Sequence, residues 1–431
     1  MKTILLKLRS NIFLTNSLIL FAGAGFVGFL NYFFHLVIGR LLDVQSFGEV
    51  ESLISLGALL GLPAGTITMV VTKYCAELKA KQEFGKMHAL ISFLDKRLFY
   101  FSVLATLTFL VLSLEIQSFL NIRSVWPIII SFIPLIYTFL YAINRGALAG
   151  LQRFKELSII GVIDAGIKLI FVVLFALLAF GVSGAMGGIM LGGLVGYAVS
   201  FYAIKFIFSH ESDQNFIAGA MDRLKGFAWA VFLFLIGITL FNNLDLILVK
   251  HYFSPEMAGY YSALSVLGKI IFFSTGIITS VMFPMVSEAH KNNNQHGHIL
   301  KSAIILVGLI SLGIVLFYAL FPGFAIQLLL GSKYLVVGPY LKWFALAMLS
   351  FSFVNLLSQY FLSQHQTSFV YWILLVAPIE WLAISLFHDS LGQVILILNI
   401  LMGLSLAMLI FYYFRYNKVN LNALPASDIN N

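Results

Sequence analysis

Charged residues are scarce in this chain: Asp, Glu, Lys and Arg make up 10% of its 431 residues, whereas an ordinary soluble domain has roughly 25%. Hydrophobic residues make up 60%. Apolar runs of about eighteen residues or more recur along the whole length, and each can cross a hydrocarbon core of roughly 30 Å as a helix. The composition excludes a soluble globular protein and predicts an all-α polytopic membrane protein with about 12 transmembrane helices.

Cysteine and the common enzyme motifs are also missing. Cys75 is the single cysteine, so neither an intramolecular disulfide nor a cysteine-based metal site can form. The sequence contains no Walker A loop, no HExxH, no Gly-x-Ser-x-Gly and no acidic cluster with divalent-metal spacing. We therefore expect no enzyme activity, no cofactor and no metal. The net charge of +8 is spread over loops of a membrane protein and does not indicate a nucleic-acid partner.

The distribution of positive charge predicts the orientation. With the N-terminus inside, 19 of the 26 Lys and Arg residues fall on the cytoplasmic side. The opposite side receives Arg40, Arg123, Lys250, Lys333 and Lys342. Cytoplasmic loops of membrane proteins carry an excess of Lys and Arg. This bias predicts a multi-pass protein of the inner or plasma membrane with both termini in the cytoplasm.

The chain resembles itself at a shift of 211 residues, which superimposes Asn31–Glu77 on Asn242–Glu288 with ten identities. Copies separated by six helices insert with the same orientation, so a pseudo-twofold axis along the membrane normal would relate them. The predicted organisation is a six-helix lobe over 1–210, a cytoplasmic linker over 211–225, a second six-helix lobe over 226–416 and a cytoplasmic tail over 417–431. Two such lobes would enclose a central cavity.

Ionisable residues inside the predicted spans are the candidate site residues. Each costs about 2.5–3.5 kcal/mol at a helix centre, so it normally faces a cavity or a partner. Asp164 and Lys168 lie four residues apart on one face of the fifth predicted helix. Either they neutralise each other and stabilise the bundle, or they face the cavity and separate when a substrate or ion arrives.

Three further ionisable residues have no opposite charge nearby in sequence. Lys269, in the eighth predicted helix, is the candidate contact for an anionic substrate. Asp245 follows two asparagines in the seventh helix, and Glu380 falls in the eleventh, one residue from the position that the 211-residue shift assigns to Lys168. We expect Asp164, Asp245 and Glu380 to take up a coupling ion. For Glu380 the alternative is an interhelical hydrogen bond, and for Asp245 it is a contact with another helix, water or a ligand.

Several motifs are similar to the two lobe-opening helix pairs of the Wzx-like polysaccharide flippases. They are Gly39-Arg-Leu-Leu-Asp43, Phe47-Gly48, Asn242-Asn-Leu-Asp245, Gly259-Tyr-Tyr-Ser-Ala263, Lys269 and Phe283-Pro284. That family belongs with the multidrug and toxin extrusion (MATE) transporters and the lipid II flippases. The resemblance covers essentially the whole chain in length, helix count and charge layout, and it implies a MATE-like fold.

The resemblance implies a flippase that moves undecaprenyl-pyrophosphate-linked oligosaccharide across the membrane by alternating access, driven by H+ or Na+. It also implies a cationic central cavity, for which Arg40, Lys73 and Lys269 are the matching candidates; Lys168 and Arg145 are candidates from position alone. The implied partners are the lipid-linked oligosaccharide, membrane lipids and polysaccharide assembly proteins, with the chain itself a monomer. The alternatives are a MATE-type drug or cation antiporter and a lipid-linked-glycan polymerase or ligase.

Overall fold

The computed structural model describes residues 12–213, 215–291, 297–364 and 366–423. Within these ranges the chain is helical and contains no β-strand. The first eleven residues of the predicted N-terminal lobe and most of the predicted tail over 417–431 lie outside the described residues.

Sixteen α-helices follow one another along the described chain, with short 3-10 turns at Lys205–Ser209 and Ser332–Val337. Their bounds are α1 Ile12–Leu41, α2 Val44–Leu60, α3 Leu62–Ala80, α4 Phe84–Val111, α5 Ser113–Phe119, α6 Trp126–Phe132, α7 Leu135–Gly150, α8 Phe154–Leu177, α9 Gly181–Ile204, α10 Asn215–Tyr252, α11 Pro255–Lys291, α12 Gly297–Leu320, α13 Pro322–Leu329, α14 Gly338–Ser363, α15 Val370–Leu386 and α16 Leu391–Ala423.

Most of these helices can cross a membrane. Eight helical segments are long and apolar enough, and the number is ten if each of two bent helix pairs is one span. The shorter apolar helices Gly25–Leu41 and Val370–Leu386 bring the apolar segments in the described chain to twelve. The prediction of an all-α polytopic membrane protein is confirmed.

The two copies of the internal repeat differ at one of these bent helix pairs. Helices α2 and α3 meet at 44°, at Gly61 and just before Pro63, which lies in the first turn of α3. Proline is tolerated there because the first amide groups of a helix have no partner within it. The shift places Phe272 and Ser274 at the equivalent positions, and α11 continues unbroken through them. The first copy is therefore broken where the second is continuous.

The described residues form two compact units, one within 12–262 with 329–333 and the other within 263–328 with 334–423. In the first unit α8 packs closely on α9 through a small residue at every fourth position. A Cβ on Gly192 would lie 2.7 Å from the Asp164 carbonyl oxygen, and one on Gly188 would lie 2.5 Å from a Val172 methyl group. Small residues at this spacing permit such a close approach of two helices.

The second unit is built on α12, α14 and α16, with part of α11 packed against α14. A Cβ on Gly268 would lie 2.3 Å from the Phe344 ring. The rings of Phe272 and Phe351 stack with centroids 5.0 Å apart. The buried Tyr318 hydroxyl donates to the Leu267 carbonyl at 3.0 Å. These contacts join α11 to α12 and α14.

Two glycines that the internal repeat superimposes meet each other in the first unit. A Cβ added to Gly48 of α2 would lie 2.8 Å from the Gly259 Cα of α11. A Cβ added to Gly259 would lie 2.0 Å from the Val44 carbonyl oxygen. A contact between equivalent residues is what a twofold axis produces where it passes through an interface. Only glycine permits backbones to approach this closely.

Candidate functional site

A cavity of about 360 Å³ opens inside the first unit. Its wall is mostly apolar, with contributions from α1, α2, α6, α7, α8 and α9. Polar side chains enter it at a few points: Asn31, His35, Ser131, Thr138 and Lys168. Ligand sites typically combine an apolar wall with a small number of placed polar groups, so this cavity is the candidate functional site.

Lys168 is the cation of the cavity. Its ammonium group donates a hydrogen bond to the Asn31 side-chain oxygen and lies 4.6 Å from the centroid of the Phe34 ring. Asn31 and Phe34 both belong to α1, whereas Lys168 belongs to α8. An amide oxygen and an aromatic face each attract a cation without cancelling its charge. Lys168 therefore has two partners on α1 that attract its ammonium group and carry no charge themselves.

Asp164 lies one turn before Lys168 and has a hydrogen-bond partner of its own. It accepts from the Tyr141 hydroxyl of α7 at 3.4 Å. The guanidinium of Arg145 lies 5.6 Å from the Tyr141 ring centroid and attracts Asp164 electrostatically, as Lys168 does. The structure thus brings together three of the predicted site residues, Asp164, Lys168 and Arg145.

A histidine–glutamate pair lies at the same cavity as Lys168. His35 Nδ1 and Glu51 Oε1 are 2.6 Å apart, joining α1 to α2. Glu51 is 4% exposed, and its charge interacts with that of Lys168. His35 lines the cavity itself. The single lysine of the cavity wall is therefore attracted by two carboxylates, Asp164 and Glu51.

Sequence reasoning did not find Glu51. Its signal was present: a carboxylate within an apolar helix, placed after a histidine on the preceding helix. In the structure the partner of Glu51 is His35. The distance of sixteen residues between them gave no reason to pair them, because only the turn between α1 and α2 brings the two helices together.

Arg40 and Lys73 lie elsewhere in the first unit. Arg40 Nε donates to the Leu329 carbonyl at 3.3 Å, at the end of α1. Lys73, on α3, is exposed, and its ammonium lies 5.6 Å from the ring of its neighbour Tyr74. Neither residue lines the cavity that contains Lys168.

The remaining predicted site residues are divided between the units. Asp245, in the first unit, is buried and accepts a hydrogen bond from the Tyr261 hydroxyl at 2.6 Å. In the second unit, Lys269 is half-buried on α11, and Glu380 is buried on α15, two residues after Pro378. Among the described residues, no cluster of His, Cys, Asp and Glu could hold a metal ion.

Four further charged residues lie at or near the turn between α1 and α2: Asp43, Glu49, Arg123 and Lys250. We call these four residues the turn cluster. Arg123 lies 3.8 Å from Asp43 and 3.9 Å from Glu49. Lys250 is fully buried and is attracted by the buried Glu49. Burial raises the pKa of the Asp43 carboxyl, but hydrogen bonds from Ser46 and the charge of Arg123 outweigh it, so the pKa lies below its usual value.

The polysaccharide biosynthesis protein family is described by a sequence model that matches residues 37–339. This match covers α2 to α13, including the turn cluster and Lys168. The chain belongs to that family. No curated protein sequence matches this family member.

Solved structures that resemble this family member share its fold at low sequence identity. An inward-facing multidrug-resistance MATE transporter of the MOP superfamily aligns with a TM-score of 0.72 and 13% identity, covering 92% of this chain and 96% of that one. The lipid II flippase MurJ, in an inward closed conformation, aligns with 0.68 and 14%, covering 92% and 87%. A MOP superfamily transporter from Pyrococcus furiosus aligns with 0.60 and 15%, covering 95% of each chain. The prediction of a MATE-like fold is confirmed.

Proposed function

We propose that this chain is a flippase that translocates undecaprenyl-pyrophosphate-linked oligosaccharide across the cytoplasmic membrane by alternating access. Three observations support it: membership of a polysaccharide biosynthesis family, a fold shared with MATE transporters and with a lipid II flippase, and a lysine in the wall of a cavity within membrane-spanning helices. The lysine carries the argument, because a half-buried cation within membrane-spanning helices normally faces a cavity or a partner.

A pyrophosphate headgroup needs fixed cations when it leaves water. Its charges would otherwise be desolvated without compensation in a medium of low dielectric constant. Lys168 supplies one cation, and three polar side chains lie in the same wall: Asn31, Ser131 and Thr138. Each of them donates to a backbone carbonyl of its own helix or of the residue before it, and would have to turn or use a second N–H to donate to a phosphate oxygen. The apolar lipid tail does not have to enter, because it is soluble in the surrounding bilayer.

Lys269, Arg40, Lys73 and Arg145 are the further proposed contacts for the headgroup or the sugars. Arg145 has the most direct support, since it interacts with Asp164 next to Lys168. We propose Asp164, Asp245 and Glu380 as sites for the coupling H+ or Na+. Carboxylates buried in membrane-spanning helices are the usual sites of such ions. On this proposal the protein is a transporter with lipid-linked substrate and membrane lipids as partners, and it catalyses no covalent reaction.

The proposal is tested by Lys168→Met and Lys269→Met in a strain whose surface glycan depends on this chain. Methionine keeps much of the length of lysine and removes the charge. Lys342→Met is the matched control, because Lys342 is an exposed lysine in a spanning helix, stacked beside Trp343. We expect surface glycan to fall, and the lipid-linked precursor to accumulate, in the first two variants only.

Normal surface glycan in Lys168→Met at a wild-type protein level would overturn the proposal. Resistance to cationic drugs that depends on the chain, with unaffected glycan, would instead support the antiporter alternative. Product formation from purified lipid-linked glycan would support the polymerase or ligase alternative.

A further inference from the structure

We infer that the second unit binds an anionic phospholipid of the bilayer in a groove beside α16, with the lipid phosphate at Lys301. The groove has a volume of about 600 Å³ and lies between α12, α14 and α16. None of its residues lines the cavity that contains Lys168. The inference therefore does not rest on the proposed function.

The groove has a buried floor and exposed rims, which distinguishes it from an ordinary lipid-facing surface. Leu300 of α12 and Leu357 of α14 are 2% and 5% exposed and form the floor. Ile305 of α12 and Phe414 of α16 are 51% and 66% exposed and form the rims. An apolar chain lying in the groove would touch protein on three sides, and such dispersion contacts hold apolar groups together within a bilayer.

The length of the groove is close to the thickness of one leaflet. The groove extends over residues 297–305 of α12 and 406–414 of α16, about 12 Å along each helix. Beyond it, the ring of Phe353 would lie 3.5 Å from a Cβ on Gly308, so α12 and α14 touch there. Half of a hydrocarbon core of roughly 30 Å is about 15 Å. The groove can therefore take an acyl chain from one leaflet.

Lys301 gives the groove a positive charge at the end that the charge distribution predicts to be cytoplasmic. Its side chain is exposed, and its ammonium group can extend to the membrane surface. No carboxylate lines the groove; the described carboxylates of the second unit are Glu380 on α15 and Asp389 just before α16. Lys301 forms no ion pair with a described carboxylate. The groove thus combines an apolar channel with an uncompensated cation.

A phospholipid with a net negative headgroup matches both features. Its acyl chain is complementary to the apolar channel, and its phosphate can accept a charge-assisted hydrogen bond from the Lys301 ammonium group. Basic pockets between spanning helices at the cytoplasmic surface bind the headgroups of anionic lipids. A zwitterionic lipid brings a cation of its own close to the lysine and should bind more weakly. For one basic residue near the membrane surface, the expected difference in affinity is about fivefold.

The test is photo-crosslinking of the full chain in phosphatidylcholine vesicles that contain a trace of phosphatidylglycerol with a diazirine on its acyl chain. Phosphatidylcholine with the same diazirine chain is the reference probe, and proteolysis with mass spectrometry locates the labelled residues. We expect the phosphatidylglycerol probe to label Ile305 and Leu406 about fivefold more than the reference probe does. Leu309 and Leu312 are exposed on α12 outside the groove, and both probes should label them equally.

Two pairs of variants separate the charge from the groove. Lys301→Met should lower phosphatidylglycerol labelling of the groove to the level of the reference probe. Lys342→Met is its matched control, because Lys342 is an exposed lysine of a spanning helix that does not line the groove. Ile305→Trp should fill the groove and reduce labelling of Leu406 by both probes. Leu309→Trp places the same side chain one turn beyond the groove and should change nothing.

Each contrary result would overturn a stated part of the inference. Equal labelling of the groove by the two probes, or equal effects of Lys301→Met and Lys342→Met, would exclude recognition of an anionic headgroup by Lys301. Unchanged labelling of Leu406 in Ile305→Trp would show that the acyl chain lies outside the groove. If unlabelled undecaprenyl phosphate displaced the probe at a lower concentration than unlabelled phosphatidylglycerol, the occupant would be a polyprenyl lipid and the assignment to a diacyl phospholipid would be wrong.

Discussion

Replacement of Gly259 by alanine should destabilise the protein, although alanine is the better helix former. The added Cβ would lie 2.0 Å from the Val44 carbonyl oxygen, whereas ordinary contact begins at 3.4 Å. The two segments would have to separate by about 1.4 Å, the difference between these distances. The obstructing atom belongs to the backbone, so no side-chain rotation can relieve the clash.

Overpacking of this kind costs about 1–3 kcal/mol. The matched control is Gly276→Ala in the same helix, where a Cβ would meet nothing within 4 Å. Removing glycine from a helix interior without a clash gains up to about 1 kcal/mol. The two substitutions are chemically identical, and the structure predicts opposite signs for them.

The assay is the apparent Tm of the purified protein in one detergent at one scan rate, because unfolding of such a protein is usually irreversible. We expect a lower Tm for Gly259→Ala and an equal or higher Tm for Gly276→Ala. Gly48→Ala, with its closest contact at 2.8 Å, should also lower the Tm. If Gly259→Ala melted at or above the wild-type temperature, the close approach of α2 and α11 would be refuted.

Two further predictions concern buried polar groups. Tyr261→Phe removes the hydroxyl that donates to the buried Asp245 carboxylate and should lower the free energy of unfolding by about 1–3 kcal/mol. Tyr260→Phe removes an exposed hydrogen bond on the same helix and should change the Tm little. Equal effects of the two substitutions would contradict the burial argument. Lys250→Met removes one of the two cations that attract the buried Glu49, the other being Arg123, so adding Glu49→Gln to this variant should recover about 0.5–3 kcal/mol of stability. A double variant no more stable than Lys250→Met would show that the two charges do not interact.

The sequence predicted part of the candidate site because intramembrane charge is itself informative. Asp164, Lys168 and Arg145 were singled out from position alone, and they share one network. The partners of Lys168 could not be predicted in the same way. Asn31 and Phe34 reach it from α1, more than 130 residues away in sequence, and no local pattern specifies which side of α1 faces α8.

The turn cluster shows the same limit. The charge distribution placed Arg123 and Lys250 on one side of the membrane, together with Arg40 and Lys333. It did not indicate that Arg123 and Lys250 would meet at Glu49, or that Lys333 would donate to the carbonyl groups of Arg40 and Leu42. These contacts depend on three segments that are far apart in the chain.

The sequence alone determined that the protein lies in a membrane, that it is helical and that it contains an internal repeat. The length of the apolar runs and the spacing of residues are local properties that can be read directly along the chain. Tertiary structure alone decided that Gly48 contacts Gly259, its equivalent in the repeat. It also decided that Glu51 contacts His35 and attracts Lys168. Those contacts follow from how the helices pack, and an apolar helix offers several faces that could pack equally well by composition.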